Sequence, residues 1–274
     1  MIFKQHIPQL PVSLYIEHII YAKGSQPLPF LMELPDGRIN LMIELEDSTN
    51  TLYTEQNLQG KHTMKRGWIA GSNAKAIIYE CNNNSAILSI RFTLGGFYAL
   101  TKIPMSEIIH PGLETELLLG ASFNKLYQML IDEPAIEIKF QLIERYFMNY
   151  IKDNVFETSI VKFIDNNMDK PIDWLVNKSG YSQKHLLHIL KTQTGFSLKY
   201  LQRLDRFEKV VQYLNKNKGK INWSGVAYEH EYFDQAHFIK EFIHFTGLSP
   251  VEYFNIDKAS ELNKLFSDIK LFQR

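Results

Sequence analysis

The chain has 274 residues, of which 45% are hydrophobic, 13% aromatic and 22% charged, and its formal net charge is zero. This composition is typical of folded globular proteins, and the length is sufficient for two domains, each with its own core. No apolar run approaches the roughly 18 residues of a membrane span, and the N-terminal sequence MIFKQHIPQLP lacks the apolar core of a signal peptide. We therefore expect a cytoplasmic protein with no membrane partner.

The sequence offers little for catalytic, metal or cofactor chemistry. Cys81 is the single cysteine, which excludes an intramolecular disulfide and any zinc site built from several thiolates. His185 and His188 lie three residues apart on a predicted helix, but no carboxylate or thiol nearby completes a set of metal ligands. The sequence also lacks a phosphate-binding glycine loop and a nucleophile elbow. We therefore predict no enzyme, no cofactor and no metal.

Charge is unevenly distributed along the chain. Residues 1–154 contain 13 basic and 16 acidic side chains, a net charge of −3, whereas residues 155–274 contain 17 and 14, a net charge of +3. Six of the basic residues lie close together in the sequence: Lys178, Lys184, Lys191, Lys199, Arg203 and Arg206. The C-terminal half therefore has the sign of charge that DNA phosphates attract.

Residues 1–113 are predicted to form a β-rich candidate sensor domain. Tyr15 to Ala22 is mostly apolar and β-branched, and Ile39 to Leu45 is a compact apolar run. Three further short segments continue the pattern: Trp68 to Ala70, Ala76 to Glu80 and Ala86 to Phe92. Several short strands at such spacing are typical of a barrel or a sandwich.

Turn-forming residues separate these strands. The sequence Pro35-Asp36-Gly37 predicts a tight turn, and Asn82 to Asn84 predict a hairpin turn between two of the strands. Four side chains of the domain are candidate effector contacts: Asp36, Arg38, Trp68 and Arg91. The alternative for the charged residues among them is an ion pair at the surface or at the edge of the core.

Residues 114–153 are predicted to be helical. Glu114 to Gly120 and Phe123 to Ile131 are two candidate helices, and Ile136 to Tyr150 is a third. The third carries apolar residues at spacings of four and three: Ile136, Phe140, Ile143 and Phe147. Such a stripe packs either against its own β-rich domain or against the same helix of a second subunit, so a homodimer remains an alternative.

Residues 154–255 are predicted to be all-α. Ser159 and Pro171 open two short helices, Ser182 caps a third, and a long helix runs from Ser197 through Leu214. A short helix around Val226 and Ala227 then precedes a helix that is capped by Asp234 and ends at Gly247. Residues 256–274 are predicted to form one more amphipathic helix, whose apolar positions are Leu262, Leu265, Phe266, Ile269 and Leu271.

A repeat with an offset of 52 residues connects the two capped helices. SQKHLLHILKTQTGFS, residues 182–197, aligns without gaps on DQAHFIKEFIHFTGLS, residues 234–249. The cap, the apolar stripe and the terminal glycine coincide in the two segments. A short helix followed by a capped second helix is the arrangement of a helix-turn-helix, so the sequence predicts two such units joined by the long helix.

The second unit has the pattern A-x-x-x-x-[YF]-x-DQ-x-HF-x-x-x-F-x-x-x-x-G-x-SP-x-x-Y, from Ala227 to Tyr253. This pattern resembles the AraC-type transcription regulators, whose DNA-binding domain of about 100 residues contains two helix-turn-helix units, and the resemblance covers residues 159–253. Two residues depart from the family: Glu231 stands where the turn usually has glycine, and His188 stands where the first recognition helix often has arginine. The missing cysteine cluster argues against the related DNA-repair methyl acceptors.

The resemblance extends to the N-terminal half. The turn at Pro35 and the segment RFTLGGFYAL, residues 91–100, resemble an N-terminal domain of unassigned role that some AraC-type regulators carry. The family often has a small β-barrel there that binds an effector. The resemblance thus predicts a domain and not a particular ligand, and a small-molecule effector and RNA polymerase are the further partners that the family suggests.

The fold class predicted for the whole chain is α+β, and the predicted function is a transcription regulator whose two recognition helices enter successive major grooves of double-stranded DNA. Candidate DNA contacts are Gln183, Lys184, His185, His188, Lys191, Gln235, Ala236, His237, Ile239, Lys240 and His244. The alternative function is a small-molecule sensor or enzyme-like barrel whose helical half mediates protein contacts. DNA binding that weakens steeply with salt would favour the first over the second.

Overall fold

The structure is a computed structural model that describes residues 2–24, 29–55, 57–70, 74–82, 85–108, 112–152, 159–217, 219–256 and 269–272. Its strands are β1 Ile2–His6, β2 Ile16–Lys23, β3 Phe30–Glu33, β4 Asn40–Glu44, β5 Asn50–Tyr53, β6 Lys61–Met64, β7 Gly67–Ala70, β8 Ile77–Glu80, β9 Ala86–Phe92, β10 Leu113–Glu114 and β11 Ile269–Phe272. Its helices are α1 Gly96–Thr101, α2 Thr115–Asp132, α3 Ile136–Lys152, α4 Ser159–Asp165, α5 Ile172–Ser179, α6 Gln183–Thr194, α7 Leu198–Lys216, α8 Trp223–Glu229, α9 Gln235–Thr246 and α10 Pro250–Asn255. Two short 3₁₀ helices, Val12–Leu14 and Met105–Glu107, complete the described elements.

The strands form two antiparallel sheets. The six-stranded sheet has the order β1-β2-β9-β4-β7-β10, and the five-stranded sheet has the order β11-β3-β8-β5-β6. The predicted alternation in β9 is confirmed, because Ala86, Leu88, Ile90 and Phe92 are buried in one core while Ser89 and Arg91 face the other side of the sheet. The predicted α+β fold class, with a β-rich first half and a helical second half, is confirmed.

The hairpin predicted at Asn82 to Asn84 is wrong. Strand β8 pairs with β3 and β5, whereas β9 pairs with β2 and β4, so the chain crosses from one sheet to the other between β8 and β9. The crossing lets the two sheets face each other rather than extend one another. Residues 83 and 84 themselves lie outside the described part of the chain.

Helices α1, α2 and α3 cover the outer face of the six-stranded sheet. The predicted stripe of α3 packs there, with Phe140, Ile143 and Phe147 almost completely buried against the same domain. Of the two packing alternatives for this stripe, the structure therefore has the intramolecular one. Helix α2 contains the predicted break, since Gly120 adopts φ 59° and ψ −147° within it.

The amphipathic helix predicted over residues 256–274 is wrong for its last part. Residues Ile269–Phe272 form β11, which pairs antiparallel with β3, Lys270 opposite Met32. The alternation of Ile269 and Leu271 suits a strand as well as a helix, and the exposed edge of β3 supplies the hydrogen-bonding partners that decide between them. Residues 257–268 lie outside the described residues.

Candidate nucleic-acid interface

Helices α6 and α9 are capped at both ends in the same manner. Ser182 Oγ accepts a hydrogen bond from the His185 backbone N–H at 3.4 Å, and Asp234 Oδ1 accepts one from the His237 N–H at 2.7 Å. At the C-terminal ends, Gly195 and Gly247 adopt left-handed conformations with φ 78° and 73°. Side-chain oxygens at the start and glycine at the end satisfy backbone groups that each helix leaves unpaired, so both helices have defined boundaries.

The two units are packed differently. In the first unit, α6 buries Leu186 and Leu190 against aliphatic side chains of α4, α5 and the start of α7. In the second unit, α9 buries aromatic side chains: the Phe242 ring lies 5.3 Å from that of Phe207 on α7 and 5.3 Å from that of Tyr253 on α10. Edge-to-face rings of this kind add to the free energy gained by burying apolar area.

The turn of the second unit retains the left-handed residue that the family's glycine would supply. Glu231 adopts φ 58°, a conformation that costs a non-glycine residue free energy. Arg206 on α7 stabilises the turn, because its guanidinium donates to the Glu231 carbonyl at 2.8 Å and lies over the Tyr232 ring at 5.1 Å. Glu231 therefore has the left-handed backbone conformation that a glycine would have at this position, and the direction of the turn is unchanged.

Helix α7 is the rod that holds the two units. Its first half, Leu198 and Leu201, belongs to the core of the first unit, and its second half, from Leu204 to Leu214, belongs to the core of the second. Arg203 donates to Glu241 of α9 at 2.6 Å and lies over the rings of Tyr200 and Phe245. Of the basic cluster in the sequence, Arg203 thus contacts α9 and Arg206 contacts the turn that precedes it.

Most of the candidate DNA contacts lie on exposed faces of α6 and α9. Exposed side chains on α6 are Gln183, Lys184, His185, His188 and Lys191, and those on α9 are Gln235, Ala236 and Lys240, with Ile239 half-buried beside them. The His185 ring stacks on that of Tyr181, and the Lys191 ammonium donates to the Gly195 carbonyl at the end of its own helix. Each helix therefore presents a polar ridge to solvent.

Two candidates on α9 are turned away from this ridge. His237 is half-buried, with its ring against Tyr232 and its Nε2 3.6 Å from a Glu241 carboxylate oxygen. His244 packs against Phe245, and burial lowers the pKa of its imidazole below the ordinary value of 6.5, with the positive charges of Arg203 and Lys75 acting in the same direction. Sequence periodicity placed both residues on the polar face without showing these neighbours.

The N-terminal domain contacts the C-terminal ends of both recognition helices. The end of α6 packs against the 3₁₀ helix Met105–Glu107, and Gly195 lies against Met105. The end of α9 receives a backbone hydrogen bond, from the Ala76 N–H to the Phe245 carbonyl at 2.8 Å. The N-terminal halves of α6 and α9, with their caps and glutamines, are left exposed.

A cavity of about 180 Å³ lies between the facing sheets of the N-terminal domain. Trp68 and Arg91 of the predicted effector contacts line it, whereas Asp36 and Arg38 do not. Trp68 Nε1 and the Tyr79 hydroxyl are buried there close to each other and to Glu33, in positions that give neither a hydrogen bond of normal geometry. Burial raises the pKa of the Tyr79 hydroxyl well above its usual range, and the charge of nearby Glu33 adds to the shift.

An ionic cluster connects this cavity to the helical domain. Glu17 accepts from Arg91 at 3.0 Å and from Arg38 at 2.7 Å, and Arg91 also pairs with Asp36. Arg38 reaches Asp165 of α4 at 3.2 Å and Glu208 of α7 at 4.0 Å. Sequence analysis missed Glu17, Asp165 and Glu208, since they come from three distant segments and no local pattern connects them.

Two kinds of feature are absent from the described part of the chain. No group of three or more His, Cys, Asp or Glu side chains there is placed to hold a metal ion. Among the helices that the structure describes, none combines the length and the apolar composition that spanning a bilayer requires.

Comparison with known proteins gives separate matches for the two halves. The profile of a helix-turn-helix domain family matches residues 175–256, and that of a domain of unknown function (DUF6597) matches residues 4–114. No curated protein matches the chain by sequence.

Three solved structures align with this chain at low sequence identity. ToxT from Vibrio cholerae O395 bound to (E)-4-(8-methylnaphthalen-1-yl)but-3-enoic acid aligns over 92% of this chain and 98% of its own, with 10% identity and a TM-score of 0.43. Unsaturated fatty acid bound ToxT from Vibrio cholerae strain SCE256 aligns over 92% and 94%, with 10% identity and a TM-score of 0.41. The AraC-like transcriptional activator CuxR aligns over 77% and 86%, with 10% identity and a TM-score of 0.23.

Proposed function

We propose that the chain is a DNA-binding transcription regulator of the AraC type and that α6 and α9 enter successive major grooves on one face of a duplex. The observation that carries this proposal is the shared exposure of the N-terminal halves of both helices, combined with the common burial of their C-terminal ends against the N-terminal domain. Helix α7 packs on both units and fixes their separation. Adjacent grooves on one face repeat at roughly 34 Å, the helical turn of B-DNA.

Base edges are read by the residues nearest the helix N-termini. Gln183 and Gln235 are suited to adenine, whose N7 and N6 groups accept and donate one hydrogen bond each to a glutamine side chain. Lys184, His188 and Lys240 supply donors for guanine or for phosphates, and Ala236 and Ile239 supply apolar contacts. His185 and Lys191 lie at the margins of the α6 ridge and contact the backbone, while His237 and His244 act through packing.

Measuring how tightly the full-length protein binds its cognate DNA tests this proposal. Fragments selected from the host genome define a cognate duplex, and binding to it is measured at several salt concentrations. We expect the affinity of His188→Ala/Gln235→Ala/Lys240→Ala to fall at least a hundredfold, since each lost base contact costs about 1–3 kcal/mol. Lys65→Ala, which removes an exposed lysine of the N-terminal domain, is the control and binds normally.

Two results would contradict the assignment. Unchanged affinity of the triple variant would show that α6 and α9 do not read the bases. Absence of any salt-dependent DNA binding by the unmodified protein would favour the alternative function, a sensor whose helical half contacts proteins.

We further propose that a small-molecule effector occupies the cavity between the sheets and controls the helical domain. Trp68 Nε1 and the Tyr79 hydroxyl supply buried donors close to Glu33, and a ligand that accepted from them would give them hydrogen bonds of better geometry. Arg91 lines the cavity and also contacts Glu17, which contacts Arg38 at the boundary with α4 and α7. A ligand that attracts or displaces Arg91 therefore alters the ion pairs that hold the two domains together.

Variants at Arg38 test this coupling. A compound that stabilises the protein in a melting-temperature screen, and that quenches Trp68 fluorescence, should change the DNA affinity of the unmodified protein. In Arg38→Ala that change should disappear, whereas Lys23→Ala, which breaks the surface ion pair with Glu46, should retain it. An undiminished response in Arg38→Ala would show that control does not pass through this cluster.

A further inference from the structure

The recognition helix of the second unit exposes apolar side chains where a solvent-facing helix usually has polar ones. Phe233, which immediately precedes the Asp234 cap, is 90% exposed, and Ile243 is 43% exposed. Ala236 is exposed and Ile239 is half-buried between them. Because Ala236, Ile239 and Ile243 follow at spacings of three and four, they form one strip along α9, and Phe233 extends it beyond the helix N-terminus.

The first unit has a different surface at the same positions. With the offset of 52 residues, Ala236 corresponds to Lys184 and Ile243 to Lys191, both of which are exposed lysines. Phe233 corresponds to Tyr181, whose ring is half-buried and stacks on His185 at 5.2 Å. At two of the four positions α6 therefore has an exposed lysine where α9 has an exposed apolar side chain, whereas Leu187 and Ile239 at the remaining position are both half-buried.

The major groove contains one apolar group on its base edges, the 5-methyl group of thymine. An exposed apolar strip costs free energy in water, and a methyl group packed on it would recover part of that cost. The flanking polar residues fit the same base pairs, since Gln235 suits adenine, the partner of thymine. The small Ala236 side chain also lets the helix backbone approach the base edges closely.

We propose that α9 selects its half-site by contacting thymine methyl groups through Phe233, Ala236, Ile239 and Ile243, while α6 reads its half-site through polar contacts. The inference rests on the proposed function and specifies what one of its two helices recognises. The half-site of α9 is therefore rich in A·T pairs, with thymine methyls placed along one side of the groove. The half-site of α6 has no such requirement.

Replacing thymine by deoxyuridine removes the methyl group and leaves every hydrogen-bonding atom in place. In the selected duplex, all thymines of one half-site at a time are replaced, and the half-site of α9 is identified as the one that loses protection in Lys240→Ala. We expect deoxyuridine in that half-site to weaken binding about fourfold for each methyl contacted. This factor corresponds to about 0.8 kcal/mol, the free energy gained by burying one carbon group. Deoxyuridine in the half-site of α6 should leave the affinity unchanged.

A double variant tests whether the loss of affinity caused by deoxyuridine depends on the apolar strip of α9. Phe233→Ser/Ile243→Ser changes two exposed side chains, so the fold is retained, and this variant should bind the natural and the deoxyuridine duplexes with more similar affinities. Leu117→Ser, at an apolar side chain of α2 that is 73% exposed, is the matched control and keeps the full difference.

Three outcomes would overturn the inference. Normal binding with no loss from deoxyuridine in the α9 half-site would refute methyl contacts while leaving the proposed function intact. An undiminished deoxyuridine effect in the double variant, together with loss of transcriptional activity, would assign the strip to a protein partner. Failure to bind any duplex would remove the proposed function and the inference together.

Discussion

The two helix-turn-helix units are alike at the ends of their recognition helices and in the spacing of the buried stripe, but they differ in the side chains that fill their cores, in their turns and in their exposed faces. Both recognition helices have a side-chain cap, a buried stripe and a left-handed terminal glycine. The connection before α6 has three residues with Gly180 at φ 75°, whereas that before α9 has five with Glu231 at φ 58°. The residues that position a recognition helix are therefore shared by the two units, whereas the residues on the exposed faces differ.

The largest expected difference between the units is in core stability. Phe242→Ala in α9 should lower the free energy of unfolding by about 3–5 kcal/mol, and Leu190→Ala in α6 by about 2–5 kcal/mol. The first removes a ring packed against two others, so we expect the larger loss there. Urea unfolding followed by Trp223 fluorescence in the second unit and by Trp174 fluorescence in the first measures both. If Phe242→Ala lowered the free energy of unfolding by less than Leu190→Ala does, the aromatic packing of α9 would add no stability.

The turns that precede α6 and α9 should respond differently when their left-handed residues, Gly180 and Glu231, are replaced. Gly180→Ala should cost about 1–2 kcal/mol, because an added Cβ strains the left-handed backbone although it meets no neighbouring atom. Glu231→Gly should leave stability unchanged or raise it by up to about 1 kcal/mol, since relieved strain is partly offset by the greater freedom of the unfolded chain. Thermal unfolding measures the change in stability of each of the two variants relative to the unmodified protein. Marked destabilisation by Glu231→Gly would show that the glutamate side chain itself supports the turn.

The N-terminal caps of α6 and α9 differ in the length of their hydrogen bonds. We expect Asp234→Ala to cost about 1–2 kcal/mol and Ser182→Ala about 0.5 kcal/mol, because the Asp234 hydrogen bond is shorter and its charge faces the positive helix terminus. Asp234→Asn keeps the acceptor oxygen and is the control. Equal losses in the two alanine variants, measured by urea unfolding, would contradict the distinction drawn from the distances.

The smallest effect concerns pH and the second unit alone. Burial lowers the pKa of His230 below its ordinary value of 6.5, and its ring lies 5.6 Å from that of Tyr213. Unfolding therefore takes up a proton at this residue when the pH falls below about 6.5, so stability is lost in that range. His230→Gln should flatten the decline in melting temperature between pH 7 and pH 5, whereas His188→Gln on the exposed face of α6 should not. An identical decline in His230→Gln would exclude this histidine as the cause.

Local signals in the sequence predicted the helices of the C-terminal half well. Ser182, Gly195, Asp234 and Gly247 act on backbone groups within one turn of themselves, so their effect is readable without knowledge of the fold. The repeat of 52 residues then related the two units. The prediction placed most of the exposed residues of α6 and α9 correctly, but it also put the half-buried His237 and His244 on the exposed face and missed Phe233 and Ile243, although the position of a phenylalanine directly before a helix cap was visible in the sequence.

Interactions between distant segments could not be predicted in this way. The pair Arg203 and Glu241 connects two helices, and the cluster around Arg38 joins residues from the first sheet, α4 and α7. Strands β5 and β6 lie in a polar interval, and β11 forms because the edge of β3 is available to it. Each depends on which partner the fold brings near, and periodicity along the chain carries no such information.

Hydroxyl-radical footprinting of the full-length protein on its selected duplex tests most directly whether α6 and α9 read DNA together. We predict two protected stretches on one face, roughly one helical turn or 34 Å apart. Gln183→Ala/Lys184→Ala should abolish protection in one stretch, and Gln235→Ala/Lys240→Ala should abolish it in the other. A single stretch, or two stretches on opposite faces of the duplex, would contradict the account.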